Sequence, residues 1–395
     1  MYLVDDKTEV SGGHLLGRWH RIFSKTSEMT FQAYYDRTSR TEAYLAQELE
    51  VFDLDFQHRW RGIQKHDIIW GARYRYSKDD FVPSYVVTFD QESRNDELYS
   101  FFVQDEITLV DDRLWLTLGS KFEHNDYTGT EIQPSGRLLW IPKHNHRLWT
   151  SISRAVRTPS RLESDGLLVT AVMPPSAESL LPVEVLFASD QTFDSENLTA
   201  YEVGYRFITD RNLSIDLTAF YNDYDELRSV SEPTIIPQLL PPTPHVESLY
   251  YFVNDSQARS YGLELALAYQ VTDWLQVDLG YSYINSDADF LAEEPTHQVS
   301  LRSAFKIRDD LDLDVWLRYV DKTRSLFTTN EDGYYEIDEY LACDIRLAWR
   351  PTEKLELSLV GQNLLDGGHL EFVQEKFTFP TELPRGVYGK VSYKF

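Results

Sequence analysis

The sequence predicts an all-β protein, a transmembrane antiparallel up-and-down β-barrel of which this chain carries about seventeen strands. Three observations predict it. Polar and apolar residues alternate in segment after segment, the connections alternate short and long, and aromatic residues gather near strand ends.

Alternation comes first. Along 275–283, Leu275, Val277, Leu279, Tyr281 and Tyr283 share one face, while Gln276, Asp278, Gly280 and Ser282 share the other. Residues Leu311, Leu313, Val315, Leu317 and Tyr319 stand against Asp312, Asp314, Trp316 and Arg318, and Phe52, Leu54, Phe56 and Trp60 against Asp53, Asp55, Gln57 and Arg59. A period of two marks a strand with unlike faces, and hardly any segment shows the 3.6-residue period of an amphipathic helix. The pattern places strands at 14–23, 29–37, 49–60, 67–76, 98–109, 113–124, 132–140, 146–155, 199–208, 213–227, 253–270, 275–285, 297–307, 311–319, 338–349, 355–363 and 386–395.

The connections carry more. Short ones fall at 24–28, 62–65, 110–112, 142–145, 209–212, 271–273, 308–310 and 351–354. Long ones lie between them at 38–48, 77–97, 125–131, 156–198, 228–252, 286–296, 320–337 and 364–385. Outer-membrane barrels turn tightly at the periplasmic rim and loop widely outside. Nothing makes a soluble β-sandwich alternate strictly by side.

Aromatic residues near strand ends, among them Tyr74, Tyr76, Trp140, Tyr205, Tyr281, Tyr319, Trp349 and Phe395, fit the girdles of a membrane barrel. Composition agrees. No run reaches 18 apolar residues, which excludes a membrane helix but not a strand that faces lipid with alternate residues. A net charge of -26 argues against a nucleic-acid partner. The single cysteine, Cys343, excludes an internal disulfide framework and a Cys-rich zinc site; it shares the apolar face of Leu341, Ile345 and Leu347.

With short turns periplasmic, the last strand runs inward to Phe395, and seventeen strands back place residue 1 outside. Bacterial barrels hold an even number of strands and leave no open edge. Residues 1–13 also show no secretion signal. The expectation is therefore a chain, 1–395, that is one barrel domain truncated at its N-terminal end.

Specific motifs add a resemblance. Phe101-Phe-Val-Gln-Asp-Glu-Ile-Thr-Leu109, Leu114-Trp-Leu-Thr-Leu-Gly-Ser-Lys-Phe-Glu123 and Gln133-Pro-Ser-Gly-Arg-Leu-Leu-Trp140 resemble TonB-dependent outer-membrane receptors. So do Ser153-Arg-Ala-Val-Arg-Thr-Pro-Ser160, Ser195-Glu-Asn-Leu-Thr-Ala-Tyr-Glu-Val-Gly204, Asn363-Leu-Leu-Asp366 and the terminal Val391-Ser-Tyr-Lys-Phe395. The final aromatic resembles the signal read by the barrel-assembly machinery. The resemblance implies a 22-stranded parent barrel in the Gram-negative outer membrane, surrounded by its lipid, of which about five strands are absent here. It also implies an N-terminal plug and a TonB-binding segment, neither of which has a counterpart in this sequence.

The function so implied is a receptor and transporter for TonB-energised uptake of a scarce nutrient complex, above all an iron–siderophore chelate. The fragment alone is expected not to be transport-competent. Such work needs a selective mouth, a wide lumen and a gate, but no catalytic residue, cofactor or resident metal. Asp53, Asp55, Arg59, Glu202, Arg206, Asp278, Asp312, Arg318, Asp344 and Arg346 would line the lumen, as the water-facing half of each strand does in any case. Arg154, Arg157 and Arg161, framing the Ser153–Ser160 motif at the outer mouth, are candidates for ligand contact or for packing at the strand end. A passive porin is the alternative; a soluble sugar-binding or hydrolytic β-protein is a third reading, but no carboxylate pair stands out as acid and base.

Smaller signals point to the bland reading. His144 and His146 sit at a short turn, residues 222–226 lack the glycine of a calcium loop, and the sequon at Asn197 is incidental. Prolines stiffen the two largest outer loops at 173–176 and 237–244. Beside them Leu180, Leu181, Leu186, Phe187, Ile235, Ile236, Leu239 and Leu240 are candidates to cap the mouth or touch an apolar ligand.

Overall fold

An alternating segment satisfies its backbone only by pairing with neighbours, and this chain pairs in sequence order. A computed structural model describes all residues except 1–6, 178, 210–211, 241–242, 288–293, 326–334 and 374–379. Parts of the first thirteen residues, the 209–212 turn, the 237–244 segment and three expected outer connections thus lie outside the described residues.

The meander runs through Glu9–Ser24, Ser27–Glu42, Leu45–Trp60, His66–Val82, Ser93–Val110, Leu114–Asn125, Gly129–Lys143, His146–Arg157, Glu196–Ile208, Leu213–Val230, His245–Thr272, Leu275–Ser286, His297–Arg308, Leu311–Val320, Tyr340–Thr352, Leu355–Gln362 and Gly386–Tyr393. Each is antiparallel to the next, as the seventeen expected strands require. Four short strands, Val87–Phe89, Gly166–Met173, Val183–Ser189 and Thr234–Gln238, join at the outer end and complete a 21-stranded sheet. Among the described residues no pairing joins Glu9–Ser24 to Gly386–Tyr393. No described helix is long and apolar enough to cross a membrane.

Register turns the alternation into faces. Leu267, Leu279, Leu301, Leu317 and Cys343 sit opposite one another on five successive strands, forming one apolar row. Leu275, Val277 and Leu279 are all partly exposed rather than sealed in a core, as lipid-facing residues must be. Cys343 is free and buried.

The other face is polar and cross-linked. Asp53, only 1% exposed, accepts hydrogen bonds from Arg73 Nε at 2.7 Å and Arg75 Nε at 2.9 Å. Arg59 meets Asp67, Arg206 meets Asp216, Arg318 meets Asp344, and Arg346 bridges Asp314 and Glu356. The buried Asp53 carboxylate thus has two charged partners, the condition for its leaving water.

Two connections expected to be long are tight turns instead. The loop expected at 38–48 is a two-residue turn, because the strands continue to Glu42 and resume at Leu45. That expected at 125–131 shrinks to three residues between Asn125 and Gly129. Apolar alternation is needed only where lipid lies, while hydrogen-bonded pairing can continue into water without it. Strands of 16 residues span roughly 50 Å at ~3.3 Å per residue, whereas about 10 tilted residues cross a bilayer. The barrel wall thus stands well above the membrane on its outer side, where the asymmetry resides in strand length as well as in loops.

Candidate functional site

The outer end of His146–Arg157 is the centre of the mouth. Pro159, which has no N–H to give a ladder, ends the strand. Ser160 then caps the helix Arg161–Asp165. Its backbone N donates to Glu163 Oε2 at 2.8 Å and its side chain accepts from the Glu163 N–H, a capping box.

Glu163 does more than cap. Its carboxylate, 2% exposed, accepts from Arg157 Nη1 and Nη2 at 3.0 and 2.9 Å and from Arg228 Nη1 at 3.1 Å. Arg157 also grips Glu196 through Nε and Nη2, both at 2.7 Å, and the Arg228 backbone N–H donates to the same Glu196 at 2.9 Å. Burial raises the Glu163 carboxyl, but hydrogen bonds from Arg157 and Ser160 outweigh it and hold the group at about 2. Two guanidinium groups and two carboxylates close a balanced knot joining the helix to the outer ends of three wall strands, His146–Arg157, Glu196–Ile208 and Leu213–Val230.

Arg161 makes a second knot. Only 9% exposed, it pairs with Asp79, donates to both Asp165 oxygens at 2.9 and 3.0 Å, and lies over the rings of Phe81 and Phe89 at 5.4 and 5.1 Å. Arg154 donates to the Ile132 carbonyl and to Asn197 Oδ1. The structure therefore places Arg154, Arg157 and Arg161 along one outer rim, each engaged with groups of the protein itself. Asn197 is occupied with Arg154 and Glu226, and His146 Nδ1 with the Tyr205 hydroxyl at 2.7 Å.

Above this rim the loops build a small sheet. Val87–Phe89 pairs with Gly166–Met173, which pairs with Val183–Ser189; that strand lies parallel to 246–252, whose other neighbour is Thr234–Gln238. The sheet divides the apolar loop residues. Leu186 is buried, and Phe187 stacks on Tyr250 at 5.2 Å. Leu181 and Ile236 are half-buried. Leu180 at 90% and Leu240 at 80% exposure, with Ile235 and Leu239, stay exposed.

A long antiparallel meander with unlike faces, carrying a loop sheet at its outer end and arginines paired along that rim, has known counterparts. The family described as TonB dependent receptor-like, beta-barrel, matches residues 8–364. The chain belongs to that family. As a TonB-dependent receptor barrel it resides in the outer membrane. It is 23% identical over 280 residues to the iron-regulated outer membrane virulence protein of Vibrio cholerae, a match covering 67% of this chain and 40% of that protein. It shares its fold with the siderophore receptor PirA from Acinetobacter baumannii, with a TM-score of 0.77 at 15% identity over 98% of this chain and 62% of PirA. A variant of the ferric enterobactin receptor PfeA from Pseudomonas aeruginosa gives 0.70 at 17% identity over 94% and 62%. The chain thus spans less than two thirds of the length of these relatives.

Several residues of this receptor mouth are not singled out by sequence reasoning: Glu163, Glu196, Arg228, Asp79, Glu184, His245 and Glu247. Only the Ser160–Glu163 spacing carries a local signal, that of a capping box. The others meet across loops far apart in the chain.

Proposed function

We propose that this chain forms the wall and outer mouth of a receptor for TonB-energised uptake of a scarce nutrient complex, an iron–siderophore chelate. The observation that carries this reading is a braced mouth that holds Leu180, Ile235, Leu239 and Leu240 out of any core. Pinned loops lose little freedom when a ligand arrives, so apolar contact there converts efficiently into affinity. A chelate that wraps its metal in an organic shell offers the matching surface. The iron-regulated and siderophore-receptor names of the relatives support the same cargo class.

In this reading the open edges of Glu9–Ser24 and Gly386–Tyr393 pair with further strands that close the barrel. A plug fills the lumen, TonB acts on the plug, and outer-membrane lipid covers the apolar face. The barrel-assembly machinery inserts the whole, and the seventeen strands by themselves do not transport. The test removes residues 229–245 from the receptor and follows growth on the chelate under iron limitation. Loss of uptake with normal membrane insertion is expected. Unchanged uptake would overturn the reading.

A further inference from the structure

We propose that Glu184, His245 and Glu247 form a divalent transition-metal site that clamps two outer loops together. The three ligating atoms lie within 4.8 Å of one another, yet the residues come from two segments about sixty positions apart. The parallel pairing brings them together: Glu184 sits directly beside Glu247, and His245 opens the strand two residues earlier.

The imidazole is oriented for a cation. His245 Nδ1 lies 2.8 Å from the Thr243 carbonyl, which can only accept, so Nδ1 carries the proton. In the neutral ring Nε2 then presents a lone pair. It faces Glu184 Oε2 at 3.4 Å and Glu247 Oε1 at 3.6 Å. Three electron-rich atoms converge on one small volume. A tetrahedral ion bonded at about 2.0–2.1 Å needs its ligand atoms about 3.3 Å apart, close to the two spacings seen here.

Charge and surroundings fit as well. A neutral imidazole with two carboxylates carries two negative charges, which a divalent ion cancels and a single proton does not. Glu184 is 7% exposed, and the Tyr85 hydroxyl donates to its other oxygen, fixing the carboxylate. Thr243 and Tyr85 thus act as the outer partners that orient metal ligands. One nitrogen and two carboxylate oxygens suit Zn²⁺ among the first-row divalent ions and leave a position for water. The bound ion would fasten the hairpin bearing Leu180 to the one bearing Leu239 and Leu240. That bracing holds whatever the cargo is.

The test titrates the full-length receptor that carries this chain, in detergent and stripped with chelator, with Zn²⁺ alone at neutral pH by calorimetry. One ion per chain is expected. His245→Ala and Glu247→Gln should each lose the binding, and Tyr85→Phe should weaken it by about tenfold. Zn²⁺ should also slow protease cutting at 174–182 and 239–244 in the wild type only. Heat-modifiable migration on gels checks that each variant keeps its barrel. Absence of Zn²⁺ binding to the wild type, or equal binding by wild type and both ligand variants, would overturn the proposal and leave His245 a protonated partner of the two carboxylates. Neither result depends on uptake, so this site and the transport reading fail separately.

Discussion

The Trp149 indole lies against Gly204, its directly paired neighbour, so closely that a Cβ there would fall 2.1 Å from the indole nitrogen. Two more pairs repeat the relationship on the polar face: Phe102 covers Gly71, and Phe220 covers Gly262, each at 2.5 Å from the added Cβ. A large ring shielding a bare backbone is how a sheet keeps a glycine in a strand without losing packing. Trp149 is further held beneath the Arg137 guanidinium at 4.8 Å.

Gly204→Ala should therefore destabilise the barrel by about 1–3 kcal/mol, the cost of forcing a ring out of a packed place. The measurement is urea-dependent unfolding in detergent. The double variant with Trp149→Leu should recover most of the loss. If the double variant is no better than Gly204→Ala, the ring is not the obstacle.

Glu163 gathers two arginines and the Ser160 backbone into one knot. Glu163→Gln keeps the shape but removes the charge, leaving Arg157 with Glu196 and taking from the Arg228 guanidinium the carboxylate it donates to. Because both arginines are about half exposed, the local loss should be about 1–3 kcal/mol, below that of a fully buried pair. Hydrogen exchange should accelerate across 158–195 while the wall strands keep their protection. Equal acceleration in wall and loop would mean that the knot supports the barrel rather than the mouth.

The pH response follows in sign. Glu163 sits at about 2 when folded, below the ordinary value of 4.5. A depressed carboxyl stabilises fully above its unfolded value and loses that contribution as pH falls through the folded one. Protection across 158–195, with the intrinsic exchange rate divided out, should thus hold at pH 5, fall below about pH 4 and reach its limit near pH 2. A transition centred near pH 6 would implicate another group.

How much of this could be read from sequence depends on which force shapes each part. The wall was legible because lipid imposes a period of two: the 275–283 alternation lies within Leu275–Ser286, and the 311–319 alternation within Leu311–Val320. Polar residues 38–48 hid the continuation of two strands, since in water a hairpin needs no apolar face. The mouth sheet was invisible for another reason. Val183–Ser189 alternates in burial but not in polarity, and its partner at 246–252 lies far along the chain and runs parallel, so no local turn announces the pairing. Arg154, Arg157 and Arg161 were legible as a cluster, but their partners Asn197, Glu163 and Asp79 depend on how the loops fold back.

The apolar row through Leu267, Leu279, Leu301 and Leu317 sets the sharpest test of which face meets lipid. Leu279 is the fifth residue of its strand, counted from the short turn, so with about 10 residues crossing the bilayer it stands near the midplane. Leu279→Lys should cost about 2–4 kcal/mol in folding into phosphatidylcholine vesicles, the price of an ammonium at that depth. Gln276→Lys points the other way, toward Asp278 on the polar face, and should change stability by less than about 1 kcal/mol. The pair of variants separates the two faces within four residues of one strand. Were Gln276→Lys the costlier change, the face bearing Asp53, Asp314 and Asp344 would be the one in contact with lipid, and the barrel would be inside out.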